Sequence, residues 1–335
     1  MKVGFVYDLK DDYRALGFSK EEIAEFDSLS TIEGIEAALV RAGCEVVRVG
    51  RGLELARRLA DGERFDLVFS IAEGLKGRSR EAQVPALCEL YDQPYVFSDP
   101  LTMAVTLDKA VAKRLVRDAG VPTAAFAVLE RAADARRSAV GFPAFVKPLA
   151  EGTGKGCGGR SRVRNLAELE AEAQRLIAEF AQPVIVEAYL PGREFTVGVV
   201  GQGAAAEVIA VLELLVGQAY EGGVYGYANK QDFGPHLSLK LADDAEARRA
   251  AERALAAYRA LGCRDVGRVD LKSDAAGEPQ FLEINPIPGL TEGFSDLPVL
   301  VDMTGRSYDW LIRRILSEAA GRCGLDLPNG SKAAA

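Results

Sequence analysis

Apolar residues cluster in short runs through the first hundred positions: VGFVYD at 3–8, EVVRV at 45–49 and FDLVFSI at 65–71. Helical patterns fall between and after them, at 31–42, from Leu53 onward and at 81–91, and PYVFS at 94–98 reads as one more short strand. Alternation of this kind predicts an α/β region, a parallel sheet covered by helices. A helix expected over 108–119 stops at Gly120, with Pro122 just beyond it.

The texture then changes. FPAFVKP, RSRVRN, PVIVEAYL and REFTVGVV read as strands around a single helix at 166–180, which predicts an antiparallel sheet with a helix packed on it. A Gly/Tyr-rich stretch at 220–235 precedes a charged helix at 243–261. Two alternating strands, VGRVDLKS and PQFLEINP, follow, and a closing helix is expected near 308–319. The tail NGSKAAA reads as a frayed end. The expected class is α/β, turning to α+β in the central and C-terminal parts, with divisions at 1–98, 99–190 and 191–325. No internal repeat is visible.

Composition narrows the chemistry. A chain of 335 residues with 48% hydrophobic and 27% charged positions has enough apolar material for real cores without disulfide or metal staples. Its 41 basic and 49 acidic residues leave a net charge of -8, which argues against nucleic acid as a main partner. Five scattered cysteines without a CxxC pair, and one histidine, His236, disfavour a disulfide framework, a zinc site and a Ser-His-Asp triad. The apolar runs are too short for a secretion signal or a membrane span, so a cytoplasmic protein with no membrane partner is expected.

Two segments carry candidate chemistry. EGTGKGCGGR, residues 151–160, has five glycines in ten positions, which lets backbone N–H groups crowd around phosphate oxygens. It contains a formal GxGxxG, but a strand-like RSRVRN follows where a dinucleotide fold needs a helix. A phosphate-covering hairpin fits better, with Lys147, Lys155 and Arg160 bracketing it and Lys109 a further candidate. The second segment is GRVDLKS-DAAGEP-QFLEIN, two strands joined by a six-residue turn. With the turn symmetric about Ala276 and Gly277, Asp270 faces Glu283 and Arg268 faces Asn285, all on one face. Opposed carboxylates repel unless a cation lies between them, and Mg²⁺ uses few protein oxygens beside substrate phosphates. Arg268 adds a cation able to stabilise an oxyanion.

With these motifs the chain resembles the ATP-grasp superfamily, and within it the D-alanine:D-alanine ligase family. The likeness spans about residues 65–305 and is strongest in PYVFSDPLTMAVTLDK, FVKPLAEGTGKG, VIVEAYLPGREFTV and GRVDLKS through FLEINPIPGLT. It implies an ATP-grasp fold with a Rossmann-like N-terminal domain and ATP held between the central and C-terminal domains. Lys109 and Lys147 would contact phosphates and adenine-side groups, and Gly152, Thr153 and Gly154 would close over the γ-phosphate. Glu187 and Glu194 would take the adenine amine and ribose hydroxyls, and Lys230 would lie on a lid. Asp270, Glu283 and Asn285 match magnesium ligands, with manganese an alternative ion, and Arg268 matches the arginine that stabilises the tetrahedral intermediate. The implied activity is amide formation through an acyl phosphate, in the service of peptidoglycan. Relatives are often homodimers.

The substrate loops depart from the family pattern. In place of GG-x-S-x-E the chain has FVYDLKDDYRALGFSKEEIAEFDSLST, where Glu25 or Asp27 can pair with a substrate ammonium. HG-x-x-GEDG becomes SIAEGLKGRSREAQ, which brings Glu73, Arg78 and Arg80 into the neighbourhood and suits a substrate with an additional acidic group. After PGLT, with Gly289, the loop EGFSDLP is one residue longer and keeps Ser295 as a candidate for the second substrate's carboxylate. Two readings stay open: a ligase, or an ATP-binding regulatory module without turnover.

Overall fold

The computed structural model describes residues 1–216 and 237–328. The first part is a parallel three-stranded sheet in the order β2-β1-β3. It is built from β1 (Lys2–Val6), α1 (Lys10–Ala15), α2 (Leu29–Arg41), β2 (Glu45–Gly50), α3 (Gly52–Ala60), β3 (Leu67–Ser70) and α4 (Gln83–Leu90). All four residues of β3 are buried, as expected of a strand covered on both faces. Helix α2 starts where the Ser28 hydroxyl accepts the Thr31 N–H.

One expectation fails here. The segment at 94–98 is not a strand: only Tyr95 bridges to Val68, because Phe97 turns to φ 75° and gives its N–H to the buried Asp265 carboxylate at 2.7 Å. The residues between β1 and α2, to which the sequence pattern assigns no element, contain α1 and fold on a small cluster of Tyr13, Ile23 and Phe26.

The chain then enters α5 (Pro100–Leu107), which the periodicity did not reveal, and α6 (Lys109–Asp118), capped by the Asp108 carboxylate on the N–H groups of Ala110 and Val111. Next come β4 (Phe126–Leu129), β5 (Ala144–Pro148), β6 (Arg162–Val163), α7 (Leu166–Phe180) and β7 (Val184–Ala188). They form an antiparallel sheet in the order β4-β7-β5-β6, with Leu169, Ala173 and Leu176 of α7 packed into its core. RSRVRN contributes only two residues to it.

REFTVGVV, expected in this same sheet, belongs to the next one. The Pro191-Gly192 turn carries the chain away, and β8 (Glu194–Val200) pairs with β9 (Glu207–Val216) and β11 (Val266–Ser273). With β10 (Leu237–Leu241) and β12 (Pro279–Asn285) these make a five-stranded antiparallel sheet ordered β10-β9-β8-β11-β12. Helix α8 (Ala245–Ala260) lies close on it through a stripe of fully buried Ala247, Ala250, Ala254 and Ala257. Helices α9 (Asp296–Met303) and α10 (Tyr308–Cys323) join a core shared with α2 and β1. Among the described residues no helix is long and apolar enough to cross a membrane.

Candidate active site

The β11-β12 hairpin sets the geometry. Arg268 pairs with Asn285 and Asp270 with Glu283, as the sequence predicts, but the turn does not do this alone. The turn is one residue shorter than expected, so Ser273 faces Pro279 and Leu271 faces Phe281; a bulge at Leu282 then restores the register beyond it. The bulge places Leu282 and Glu283 together on the cleft side, and both line a cleft of about 1100 Å³ including its open mouth.

Two carboxylates therefore face each other among fixed cations. Arg268 donates to Asp270 at 2.8 Å and ion-pairs with Asp296 at 3.1 Å. The Thr196 hydroxyl donates to Asp270 at 2.8 Å, and the Asn285 amide lies 3.4 Å from the same carboxylate. Burial raises the Asp270 carboxyl above its ordinary value, Arg268 opposes that rise, and the nearby Glu283 charge adds to it. Glu283 meets the Lys109 ammonium at 3.3 Å and lies 4.0 Å from that of Lys147.

Behind the cleft runs a chain of alternating charge that sequence reasoning missed. Lys113, one helical turn beyond Lys109 on α6, is fully buried and ion-pairs with Glu187 at 2.7 Å. Glu187, on β7, also holds Lys147 of β5 at 3.1 Å. Burial pushes the Glu187 carboxyl up, but Lys113 and Lys147 outweigh it and hold it low. Burial lowers the Lys113 ammonium, with Glu187 opposing. The Lys147 ammonium, which burial would lower, is raised by Glu187 and Glu283. The spacing of four between Lys109 and Lys113 was the available signal.

Apolar groups complete the cleft: Phe145, Tyr189, Leu190, Leu214 and Leu282 form a slot beside Lys147 and Gly154. Glu194 stands at its rim, paired across the strands with Lys272 at 2.7 Å. The glycine loop joins β5 to β6, with Thr153, Gly154 and Gly156 all at positive φ. Lys155 faces inward and pairs with Glu151 at 2.9 Å. Arg160 does not join it: its side chain is 75% exposed and its nearest carboxylate is Glu172 at 3.8 Å.

A second cavity of about 1470 Å³, its open mouth included, lies beside the first and shares Lys109, Glu151, Glu283 and Asp296 with it. Glu25, Asp27, Glu73, Gly152, Thr153, Arg268, Asn285, Gly289 and Ser295 all line it, so the structure brings the sequence-derived substrate candidates together. Lys230 lies outside the described residues. Burial pushes the Asp27 carboxyl up to about 7, with Lys10 opposing and Asp8 reinforcing. Burial also carries Glu73 well above its ordinary value and Glu81, which the sequence reading overlooked, to about 7. Neither Arg78 nor Arg80 lines the cavity: Arg78 points outward to Asp108, and Arg80 is buried behind the wall. The Ser295 hydroxyl accepts the Thr291 N–H at 3.1 Å, and a Cβ on Gly289 would come within 2.8 Å of it, so the loop closes tightly there.

Among the described residues no three carboxylate, imidazole or thiol groups gather into a complete metal cage. Two neighbouring carboxylates nonetheless fit a small hard cation that draws its remaining oxygens from phosphates and water, and Asn285, whose amide nitrogen faces Asp270 at 3.4 Å, would offer its oxygen once the amide turns over.

Comparison with known proteins bears on the same surfaces. The family model described as "D-ala D-ala ligase C-terminus" matches residues 115–317. A protein named D-alanine–D-alanine ligase from Bordetella petrii is 35% identical over 297 residues, covering 88% of this chain and 87% of its own. The chain belongs to the D-alanine–D-alanine ligase family. Its fold is ATP-grasp. The D-alanine–D-alanine ligase of Bacillus anthracis, solved in complex with ATP, superposes with a TM-score of 0.71 at 21% identity, covering 97% of this chain and 99% of that one. The VanG D-Ala:D-Ser ligase of Enterococcus faecalis superposes with a TM-score of 0.70 at 21% identity, over 95% of this chain and 99% of that one.

Proposed function

We propose that the protein is an ATP-dependent ligase that joins the carboxylate of one small amino acid to the amine of another, with D-alanine as the first substrate to test at both positions. The observation that carries this reading is the pair Asp270 and Glu283, side by side on adjacent strands in the wall of a cleft that holds Lys109 and Lys147 and opens directly into a second cavity. That second cavity leaves room for an acceptor, which a module limited to nucleotide binding does not need.

ATP lies with its base in the slot of Phe145, Tyr189 and Leu190, between a central domain (99–190) and a C-terminal domain (191–325). Its ribose approaches Glu194, and its phosphates meet Lys109, Lys147 and the N–H groups of the glycine loop. Asp270, Glu283 and Asn285 would hold Mg²⁺, which would supply charge neutralisation at the phosphate oxygens. A substrate carboxylate oxygen attacks the γ-phosphorus and the bond to the β-phosphate oxygen breaks, giving ADP and an acyl phosphate. The neutral amine then attacks the acyl carbon, the carbon–oxygen bond to phosphate breaks, and the nitrogen loses its proton. Arg268, fixed by Asp270 and Asp296, faces the oxyanion of that tetrahedral intermediate. Positioning and charge do most of the work, which suits a site without a protein nucleophile. Asp27, Glu73 and Glu81 offer carboxylates to a substrate ammonium, and Gly289 and Ser295 shape the far end of the cavity.

Phosphate release with ATP and Mg²⁺ against D- and L-amino acids, singly and in pairs, tests the reading. Turnover with D-alanine alone is expected, and Asp270→Asn should abolish it while the far-ultraviolet circular dichroism stays native. Full turnover in that variant would remove the cation site from the mechanism.

A further inference from the structure

Glu25 is the residue the sequence offers as a receptor for a substrate ammonium, yet both of its oxygens are taken. One accepts the Gly152 N–H at 2.5 Å and the other receives Arg80 at 2.9 Å. Arg80 also donates to the Ala150 carbonyl at 2.9 Å. The side chains of Glu25 and Arg80 are only 7% and 9% exposed, so this is a buried pair rather than a surface contact. Burial would raise the Glu25 carboxyl, but Arg80, Lys155 and the Gly152 N–H together hold it below the usual range. On its other side the same stem is held by Gln182, whose amide accepts from the Ala150 N–H at 2.8 Å and donates to Glu151 at 2.7 Å. Residues 150–152, the entry to the glycine loop, are thus gripped from the N-terminal wall of the second cavity as well as from their own sheet.

We infer that Arg80, acting through Glu25, is a positioning residue for the glycine loop: it fixes the loop's entry over the phosphate end of the cleft and is not a ligand of the amino substrate. A guanidinium suits this task because its fork reaches a carboxylate and a carbonyl at once. Lysine at the same place offers a point charge and keeps the ion pair without the second, directed contact. The inference rests on the ligase reading only for its kinetic readout.

The test starts with hydrogen–deuterium exchange over residues 150–160 in the nucleotide-free protein, which requires no turnover. Arg80→Gln and Glu25→Gln should each speed exchange there by about tenfold or more, the loss of a charge-assisted hydrogen bond, while Arg80→Lys gives a smaller rise. Under turnover the same variants should change kcat and the KM for ATP by about tenfold and leave the KM for the amino substrate within about twofold. A variant that spares both side chains guards against misfolding. Gly152 has no positive φ, but a Cβ there would lie 2.9 Å from the Glu25 oxygen, so Gly152→Ala should loosen the loop in the same way. Adding Glu25→Ala to it should produce little further change. Unchanged loop exchange, with or without a raised KM for the amino substrate, overturns the inference. Absence of turnover with every substrate pair would instead count against the ligase reading and leave the exchange result standing.

Discussion

At the scale of single residues, Lys113 shows how a buried charge organises a site it does not line. Its ammonium reaches Glu187 at 2.7 Å, the Thr123 hydroxyl at 3.0 Å and the Phe281 carbonyl at 2.8 Å, so one side chain ties α6 to both of the larger sheets. Removing one partner of a buried pair costs about 3–5 kcal/mol because the other charge stays desolvated. Lys147 remains beside Glu187, which places Lys113→Met near the lower end of that range. Urea denaturation should show a loss of about 3 kcal/mol, and adding Glu187→Gln should recover little of it, because the carboxylate removed is still paired with Lys147, whose buried ammonium is then left with only Glu283 at 4.0 Å. A Lys113→Met variant within about 1 kcal/mol of the parent would mean that Lys147 alone satisfies Glu187.

At the scale of elements, the hairpin explains what a reader of the sequence could see and what was hidden. Alternation in VGRVDLKS and FLEIN shows which side chains share a face, so the pairing of Asp270 with Glu283 was legible. The bulge at Leu282 was not, because two adjacent cleft-facing residues look like a flaw in the alternation until the partner strand is known. The assignment of REFTVGVV to the wrong sheet has a similar origin: strand character is local, whereas strand partners are set by packing elsewhere in the chain. Helix α5 was masked because its Thr and Met positions lack a clean amphipathic stripe, although Asp99 and Pro100 mark its start. Charged partners such as Asp296 and Glu81 were missed because only the folded chain brings them to the cavity. The bulge carries a prediction. If it serves to present Leu282 to the nucleotide slot, Leu282→Ala should weaken ATP binding by about fivefold, the worth of one apolar contact of about 1 kcal/mol. Melting temperature should change little, because Leu282 is not part of the buried core. An unchanged ATP titration would reduce the bulge to a register device.

At the scale of the whole molecule, the second cavity is a store of carboxylic acids held together by the fold. Burial, which penalises their charged forms, pushes the Asp27 and Glu81 carboxyls up to about 7 and carries Glu73 well above its ordinary value. The unfolded chain would release these protons near the ordinary carboxyl value of about 4. Between about pH 4 and pH 7 these groups bind more protons in the folded protein than in the unfolded one, so their contribution to stability falls as pH rises through that window. This is opposite to the trend set by salt-bridged surface carboxylates. A substrate ammonium reverses the balance locally, because a cation among these groups favours their ionised forms. Binding an amino substrate near pH 6 should accordingly release protons, and calorimetry in buffers of different ionisation enthalpy reads that release directly. In Asp27→Asn, which removes one such group without adding charge, the melting temperature relative to the parent should rise from about pH 5 to about pH 8, and fewer protons should leave on binding. If slope and proton count both match the parent, Asp27 is ionised throughout and the burial that raises it does not govern the cavity.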